Sequence, residues 1–195
     1  VLIDWERDER GASIKDNPAR HLRVRGTGDA RAPFFTNEDE KRLIFELSQM
    51  SNPNHLRLTK LALTTGFRRS ELLSLRWRDI DLKKNLLHIY RKNCAARDSY
   101  PAMKIVPLPA KAKKILEELQ GRDGKVIELS KGAARNGFDK ARKRAGLENL
   151  RFHDLRHIAI SRMWCSGMNA LEISACSGHR DIKMLMRYSH FQLSI

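Results

Sequence analysis

The sequence predicts an α+β domain that is mainly helical and contains a small three-stranded antiparallel sheet. Apolar residues recur at helical spacing in the first part of the chain and again from Ala110 onward. Between these two parts, residues 79–107 break into short β-prone runs separated by turn residues. A chain of 195 residues, 41% of them hydrophobic, is long enough for one well-cored domain.

Three helices are predicted before the sheet. In "TNEDEKRLIFELSQM", Thr36 can cap a helix whose first turn is acidic, and Leu43 and Leu47 recur at helical spacing. A second helix is predicted over residues 54–64. Thr65 and Gly66 then separate it from a short third helix in "RSELLSLRW".

The sheet and the remaining helices follow in order. Leu82, Leu87 and Ile89 suit two strands around a turn at residues 83–85, and "MKIVPLP" provides a third strand that its prolines stop. Five helical segments are then predicted, over residues 110–120, 131–146, 152–168, 170–178 and 181–190.

The charge of the chain indicates a polyanionic partner. Lys and Arg number 38 against 23 Asp and Glu, which leaves a net charge of +15 at pH 7 and makes nucleic acid the first candidate. No apolar run approaches the roughly 20 residues of a membrane-spanning helix. The first twenty residues are charged throughout and lack the apolar stretch of a secretion signal, so a cytoplasmic, nucleoid-associated protein is expected.

Three cysteines offer neither a disulfide framework nor a zinc site. Cys94, Cys165 and Cys176 are odd in number and form no CxxC pair. No dense group of Asp and Glu suits a pair of magnesium ions, and no GxxxxGK[ST] loop is present for a nucleotide. No cofactor is therefore expected.

Three short stretches hold the candidate site residues. In "HDLRH", His153 and Arg156 stand three apart and project from one face near a helix start, although a polar helix start would look the same. In "TTGFRRSELLSLRW", Glu71 is spaced to hold the guanidinium of Arg68, although an ordinary intrahelical ion pair fits too.

The third stretch, "GHRDIKMLMRY", places a histidine nine residues before a tyrosine, as an ordinary amphipathic segment after a glycine also could. Taken together, the stretches suit chemistry on a phosphate. Two arginines can clamp nonbridging oxygens, histidines can bond the same oxygens or move protons, and a tyrosine hydroxyl is a competent nucleophile.

In order and spacing, these stretches resemble the catalytic domain of the tyrosine recombinase, or phage integrase, family. "TGFRRSELLSLRWRDIDL" is similar to the first arginine box of that family, "HDLRH" to its H-x-x-R box and "SGHRDIKMLMRYSH" to its final box. The lysine of the family lies at the end of the second strand after the first box. Aligning "DIDLKKNLLHIYRK" with that pattern without a gap selects Lys92. Because "NCAARDSYPAMKIV" is longer than the usual hairpin turn, Lys104 and Arg97 compete for that role.

The resemblance implies a role for each of these residues in cutting a DNA strand. The implied catalytic residues are Arg68, Lys92, His153, Arg156, His179 and Tyr188, with Glu71 in support. Tyr188 would attack the scissile phosphate and form a 3'-phosphotyrosyl link, Lys92 would protonate the leaving oxygen, and His153 would assist proton transfer at the tyrosine.

The resemblance also implies the domain organisation and the partners. Residues 1–32 would be the end of a missing core-binding domain plus a linker, and residues 33–195 the catalytic domain. The expected partners are double-stranded DNA attachment sites and accessory DNA-bending proteins. The protein is expected to form a homo-tetramer on DNA and to be a monomer, or only weakly associated, without DNA. The candidates for contacting the DNA backbone are Arg91, Arg97, Lys104, Lys140, Arg142, Lys143 and Arg144.

Two other functions share many of these residues. A type IB topoisomerase-like enzyme would use the same chemistry to nick and close DNA. A DNA-binding module with a decayed active site would retain only the basic surface.

Overall fold

The computed structural model describes residues 35–90, 103–119, 123–179 and 181–185. Seven α-helices occur in this part of the chain. They are α1 (Asn37–Ser48), α2 (Asn54–Thr65), α3 (Arg69–Ser74), α4 (Ala110–Glu117), α5 (Lys131–Arg144), α6 (Asp154–Cys165) and α7 (Ala170–Ser177). Short 3-10 helices cover Trp77–Asp79 and Ile182–Met184.

The three strands form one antiparallel sheet, as the sequence predicts. Strand β2 (Leu86–Tyr90) lies between β1 (Ile80–Asp81) and β3 (Met103–Pro107). Leu87 pairs with Val106, and both are buried. Leu82 was expected in the first strand, but it lies in the turn that follows β1, because that strand ends after two residues.

Helix α2 is the centre of the larger hydrophobic core. It packs against α6, α4, α3, α1 and α5, and it buries Leu58, Leu61 and Ala62. Burying a leucine side chain contributes about 1.5–3 kcal/mol to folding, so the burial of Leu58 and Leu61 stabilises the domain.

Several helix starts are held by the residues that favour them locally. Thr36 forms the expected cap: its Oγ accepts from the backbone N–H of Asp39, and the Asp39 carboxylate accepts from Thr36. The hydrogen bond from the Thr36 backbone is the main cause that lowers the pKa of Asp39. Asn169 and Glu172 form a second capping box at the start of α7.

A smaller core anchors the last described residues. Leu185 has no exposed surface and belongs to a cluster with Ile160, Trp164 and Ile173. Asp181 caps the start of the 3-10 helix Ile182–Met184 by accepting from the backbone N–H of Lys183. The chain is therefore fixed three residues before Tyr188.

In the described part of the chain, no helix is long and apolar enough to cross a membrane.

Gly137 on α5 allows the ring of His55 on α2 to lie directly against its helix. A Cβ added at Gly137 would overlap the imidazole ring of His55. Alanine favours a helix over glycine by about 1 kcal/mol, but overpacking costs about 1–3 kcal/mol. We expect Gly137→Ala to lower the free energy of unfolding in urea denaturation. Gly132→Ala on the same helix is the control, because a Cβ there meets only Ser130 Oγ at 3.9 Å.

In a His55→Ala background the clash disappears, and Gly137→Ala should then stabilise the protein. A stabilising effect of the single Gly137→Ala substitution would contradict the packing of His55 on α5.

Candidate phosphate-binding site

The site is built around Arg156, whose side chain is only 3% exposed. Its Nη1 donates to the carbonyl oxygen of Gly66 at 2.6 Å and to that of Ser177 at 2.9 Å. Its Nη2 lies 2.8 Å from Nε2 of His179 and 3.0 Å from Nδ1. Arg156 therefore joins the end of α2, the end of α7 and the histidine of the final box.

Gly66 can reach Arg156 because it ends α2 in the left-handed region, with φ at 67°. A residue other than glycine is strained in this conformation. Thr65 supports the same turn: its Oγ donates to the Leu61 carbonyl and accepts from the backbone N–H of Phe67. The turn brings Arg68 beside the buried guanidinium.

Arg68 is held at both ends by Glu71. Its backbone N–H donates to Oε2 of Glu71 at 2.8 Å, and its Nη1 donates to Oε1 at 3.1 Å. The carboxylate is mostly buried, with 11% of its side chain exposed, whereas 47% of the Arg68 side chain is exposed. Glu71 therefore orients a guanidinium that remains accessible to an anion.

His179 is buried and lies within hydrogen-bond distance of Ser177 as well as Arg156. Oγ of Ser177 donates to the Ile173 carbonyl and lies 2.7 Å from Nδ1 of His179. Because a hydroxyl has a single hydrogen to donate, Nδ1 must carry the hydrogen of that contact. Nε2 is then the acceptor that faces Arg156. This tautomer follows from the donor arrangement rather than from observed hydrogens.

The surroundings of His179 keep the ring neutral. Burial lowers its pKa from 6.5 to about 3, and the charges of Arg156, Arg68 and Lys104 act in the same direction. Partial burial also lowers the pKa of His153, with help from Arg156 and Arg68, while Asp154 opposes the shift. Both imidazoles are therefore neutral near pH 7, and a substantial part of His153 remains open to solvent.

A cleft of about 440 Å³ opens beside these residues and is lined by Arg68, His153 and Arg156. Apart from Lys104, the sequence-predicted residues fall into three groups. The first group comes together at the site: Arg68, Glu71, His153, Arg156 and His179.

The second group contains the DNA-contact candidates on α5. Arg142 lines the same cleft. Lys140 and Arg144 line a separate hollow with His55, and Lys143 is exposed. The last group lies outside the described residues: Arg91, Lys92, Arg97 and Tyr188.

Lys104 reaches α7 from strand β3. Its Nζ donates to the carbonyl oxygen of Ser174 at 3.1 Å, and the Ser174 hydroxyl donates to the carbonyl of His179. Lys104 therefore lies close to the final box without being the residue that gapless counting selects.

Several supporting residues are missed by reasoning from the sequence. Gly66 and Ser177 accept hydrogen bonds from Arg156 through their backbone carbonyl oxygens. Because every residue has a backbone carbonyl, the residue type does not reveal such a contact. His157, the second histidine of "HDLRH", packs its ring edge-on against His153 at 5.0 Å between centroids. The one signal in the sequence for Ser177 is its position directly before the Gly-His pair.

In this mainly helical α+β domain, Arg68, His153 and Arg156 line one cleft, and His179 contacts Arg156. Side chains of this kind are able to bind a phosphate. The model of the Phage integrase family matches residues 33–194, and the chain belongs to that family.

Relatives and solved structures agree with this membership. The chain is 35% identical over 197 residues to a shufflon-specific DNA recombinase of Escherichia coli, covering 98% of the chain and 48% of the relative. It resembles the catalytic domain of bacteriophage HP1 integrase at 26% identity and a TM-score of 0.64, covering 81% and 87% of the two chains. The chain spans about half the length of the curated relatives it matches.

The fold also resembles a transposon integrase solved with DNA. The Tn1549 transposon integrase in complex with circular intermediate DNA matches with a TM-score of 0.61 and 17% identity. This match covers 79% of the chain and 61% of the integrase, and it concerns the fold alone.

We expect the imidazole of His179 to stay neutral from about pH 8 down to about pH 5, because burial and Arg156 disfavour its charged form. In NMR spectra of protein with labelled histidines, the resonances that disappear in His179→Gln should not titrate in this range. His88→Gln provides a second assignment as a control. A His179 resonance that titrates near pH 6.5 would contradict the hydrogen-bond arrangement.

Proposed function

We propose that the chain is part of a site-specific recombinase that cuts and rejoins double-stranded DNA at attachment sites through a 3'-phosphotyrosyl intermediate. In this proposal residues 33–195 are the catalytic domain, and the reaction integrates or excises a mobile element. Family membership and the similarity to a shufflon-specific DNA recombinase support the proposal.

The observation that supports this function most directly is the contact between Arg156 and His179. It joins the second and final boxes, while Arg68 of the first box lines the same cleft as Arg156. Three stretches that together span more than a hundred residues of sequence, from Arg68 to His179, thus come together beside one cleft. Such convergence is expected of a site that stabilises charge developing on a phosphoryl group.

The arginines supply charge stabilisation and geometry. Because Nη1 of Arg156 uses both of its hydrogens on backbone carbonyls, the guanidinium is fixed before DNA arrives. Nη2 and the exposed guanidinium of Arg68 would bond the nonbridging oxygens of the scissile phosphate. A preorganised donor costs no reorganisation during the reaction, which favours the pentacoordinate transition state.

His179 would change its role when a phosphate enters. In the free chain Nε2 accepts from Arg156, so it cannot donate to an oxygen. A phosphate that takes the Arg156 hydrogens would leave Nε2 facing an anion. The anion favours a hydrogen on that nitrogen, either by tautomer exchange or by raising the pKa of the ring. The imidazole would then donate to a nonbridging oxygen.

The bond changes balance without a cofactor. The bond from Oη of Tyr188 to phosphorus forms as the bond from phosphorus to the 5'-oxygen breaks, with the tyrosine proton passing towards His153. Lys92 gives a proton to the leaving 5'-oxygen. A phosphodiester is exchanged for a phosphotyrosine of similar bond energy. A 5'-hydroxyl from a second duplex can therefore reverse the step and complete strand exchange.

The assembly is part of the same proposal. Four copies would act on two duplexes in the nucleoid, with accessory DNA-bending proteins at the attachment sites. Positive side chains would hold the DNA backbone and give binding a strong salt dependence. In this proposal the exposed Lys143 on α5 is one such contact.

We expect wild-type protein with its complete amino-terminal part to form a covalent adduct with a nicked duplex carrying its attachment site, and Tyr188→Phe to form none. The chain has three tyrosines, so Tyr90→Phe and Tyr100→Phe are matched controls that should retain the adduct. Denaturing gel electrophoresis measures the adduct. An adduct formed by Tyr188→Phe would disprove the assignment of the nucleophile, and no adduct from wild type would disprove the enzymatic function.

The same preparation separates a recombinase from a topoisomerase. Transfer of the cut strand into a second duplex indicates recombination, whereas relaxation of supercoils without transfer indicates a nicking and closing enzyme.

We expect Lys92→Ala to slow cleavage about 100-fold or more, because general acid catalysis contributes about 10²–10⁴-fold. Lys104→Ala should have a smaller effect, since it removes a contact to the Ser174 carbonyl. A substrate with sulfur in place of the leaving 5'-oxygen needs no proton, so it should restore cleavage by Lys92→Ala only. Rescue of Lys104→Ala instead would assign the acid to Lys104.

A further inference from the structure

The cleft beside the catalytic candidates is lined by more arginines than those candidates require. Six arginines line it: Arg68, Arg69, Arg135, Arg142, Arg151 and Arg156. The lining includes one carboxylate, that of Asp139, which already pairs with Nε of Arg142 at 2.8 Å and lies 3.8 Å from Nε of Arg135. The cleft therefore has a large positive surplus that favours an anion.

Arg69 is held in this cleft by an aromatic ring. Its guanidinium carbon lies 5.7 Å from the ring centroid of Phe152. Phe152 is itself fixed by an edge-to-face contact with Phe138, with 5.1 Å between ring centroids. A cation–π contact of this kind restrains the guanidinium while its N–H groups remain able to bond oxygen.

Arg69 and Phe152 each lie next to a candidate catalytic residue in the sequence. Arg69 follows Arg68, and Phe152 precedes His153. Each member of the cation–π pair, Arg69 and Phe152, is thus the sequence neighbour of a candidate catalytic residue. Because Arg69 lines the same cleft as Arg68 and Arg156, an anion at Arg69 would share that cleft with the phosphate proposed at Arg68 and Arg156.

The cleft suits a phosphate better than a nucleobase. Stacking of a base requires an open aromatic face. Phe67 and Phe138 are 2% and 3% exposed, and the ring of Phe152 already contacts Arg69. The charge of the cleft, by contrast, matches the repeating phosphates of a DNA strand.

We propose that this arginine cleft binds a backbone phosphate adjacent to the scissile one, with Arg69 as its principal ligand and the exposed Arg151 as a second. The proposal rests on the proposed function for the identity of the neighbouring scissile phosphate. Arg69 acts here by fixing the register of the DNA strand over the catalytic residues. It takes no part in bond making or breaking.

Binding to a duplex of arbitrary sequence tests the phosphate contact without knowledge of the attachment site. Fluorescence anisotropy over a series of KCl concentrations should show that Arg69→Ala binds about tenfold more weakly. The slope of log affinity against log salt should fall by about 1, as expected for the loss of one phosphate contact. Arg69→Lys, which keeps the charge, should retain the slope.

Arg42→Ala is the matched control for charge. Arg42 is an exposed arginine on α1 that pairs with Asp39 at 2.5 Å and lines a different hollow. Its removal should change the salt slope less than removal of Arg69. Circular dichroism and thermal melting verify that each variant is folded. If Arg69→Ala is unfolded, Arg151→Ala replaces it with the same expected direction. An unchanged slope in a folded Arg69 or Arg151 variant overturns the proposal.

Uncharged methylphosphonate linkages locate the contact on the nicked attachment-site substrate. Each one replaces a single phosphate beside the scissile position. One of them should reduce adduct formation by wild type and cause no further reduction in Arg69→Ala. Equal sensitivity of both proteins at every position overturns the cleft proposal and leaves the proposed function intact. A reduced salt slope together with no wild-type adduct would support the phosphate contact and disprove the proposed chemistry.

Discussion

The buried guanidinium of Arg156 is the interaction on which the site depends. Its two Nη1 hydrogen bonds end on the carbonyls of Gly66 and Ser177, which lie where α2 and α7 end. Helix carboxyl ends bear partial negative charge, so each is a favourable neighbour for a cation. Arg68 stands two residues after the first carbonyl and His179 two residues after the second. The Arg156 side chain thus sets the spacing between the segment that carries Arg68 and the segment that carries His179.

This arrangement gathers positive charge before any DNA is present. Burial is the main cause that lowers the pKa of His179 and that of His153, and the charges of Arg156 and Arg68 act in the same direction, so both imidazoles are neutral near pH 7. Keeping them neutral reduces repulsion within the site. In the proposed function, a bound phosphate would supply the negative charge that the arginines attract and would offset their effect on the pKa values of the histidines. The site is therefore organised for an anion by the same contacts that hold the domain together.

The fold could be predicted from the sequence where local rules apply. The Thr36 cap, the glycine that ends α2 and the apolar spacing of the helices are all local features, and the structure has them in place. The five site residues from Arg68 to His179 could be named because their spacing matches family boxes. The two-residue length of β1 could not be predicted, since strand pairing rather than residue preference decides where a short strand ends.

The contacts that complete the site are long-range and escape sequence reasoning. Arg156 and Gly66 are 90 residues apart, and the bond between them uses a carbonyl group that every residue possesses. Arg68 and Arg69 are neighbours in the sequence, and residue type alone does not separate their roles. Glu71 holds the first and Phe152 the second, and only the second of these partners is distant along the chain.

The decisive measurement is a crystal structure of Tyr188→Phe protein on the DNA site proposed for it. We expect the scissile phosphate to be bonded by Nη2 of Arg156, by Arg68 and by Nε2 of His179, while Nη1 of Arg156 stays on the carbonyls of Gly66 and Ser177. A scissile phosphate bound away from Arg156, or an Arg156 that has left both carbonyls to reach it, would show that the buried guanidinium does not organise the site.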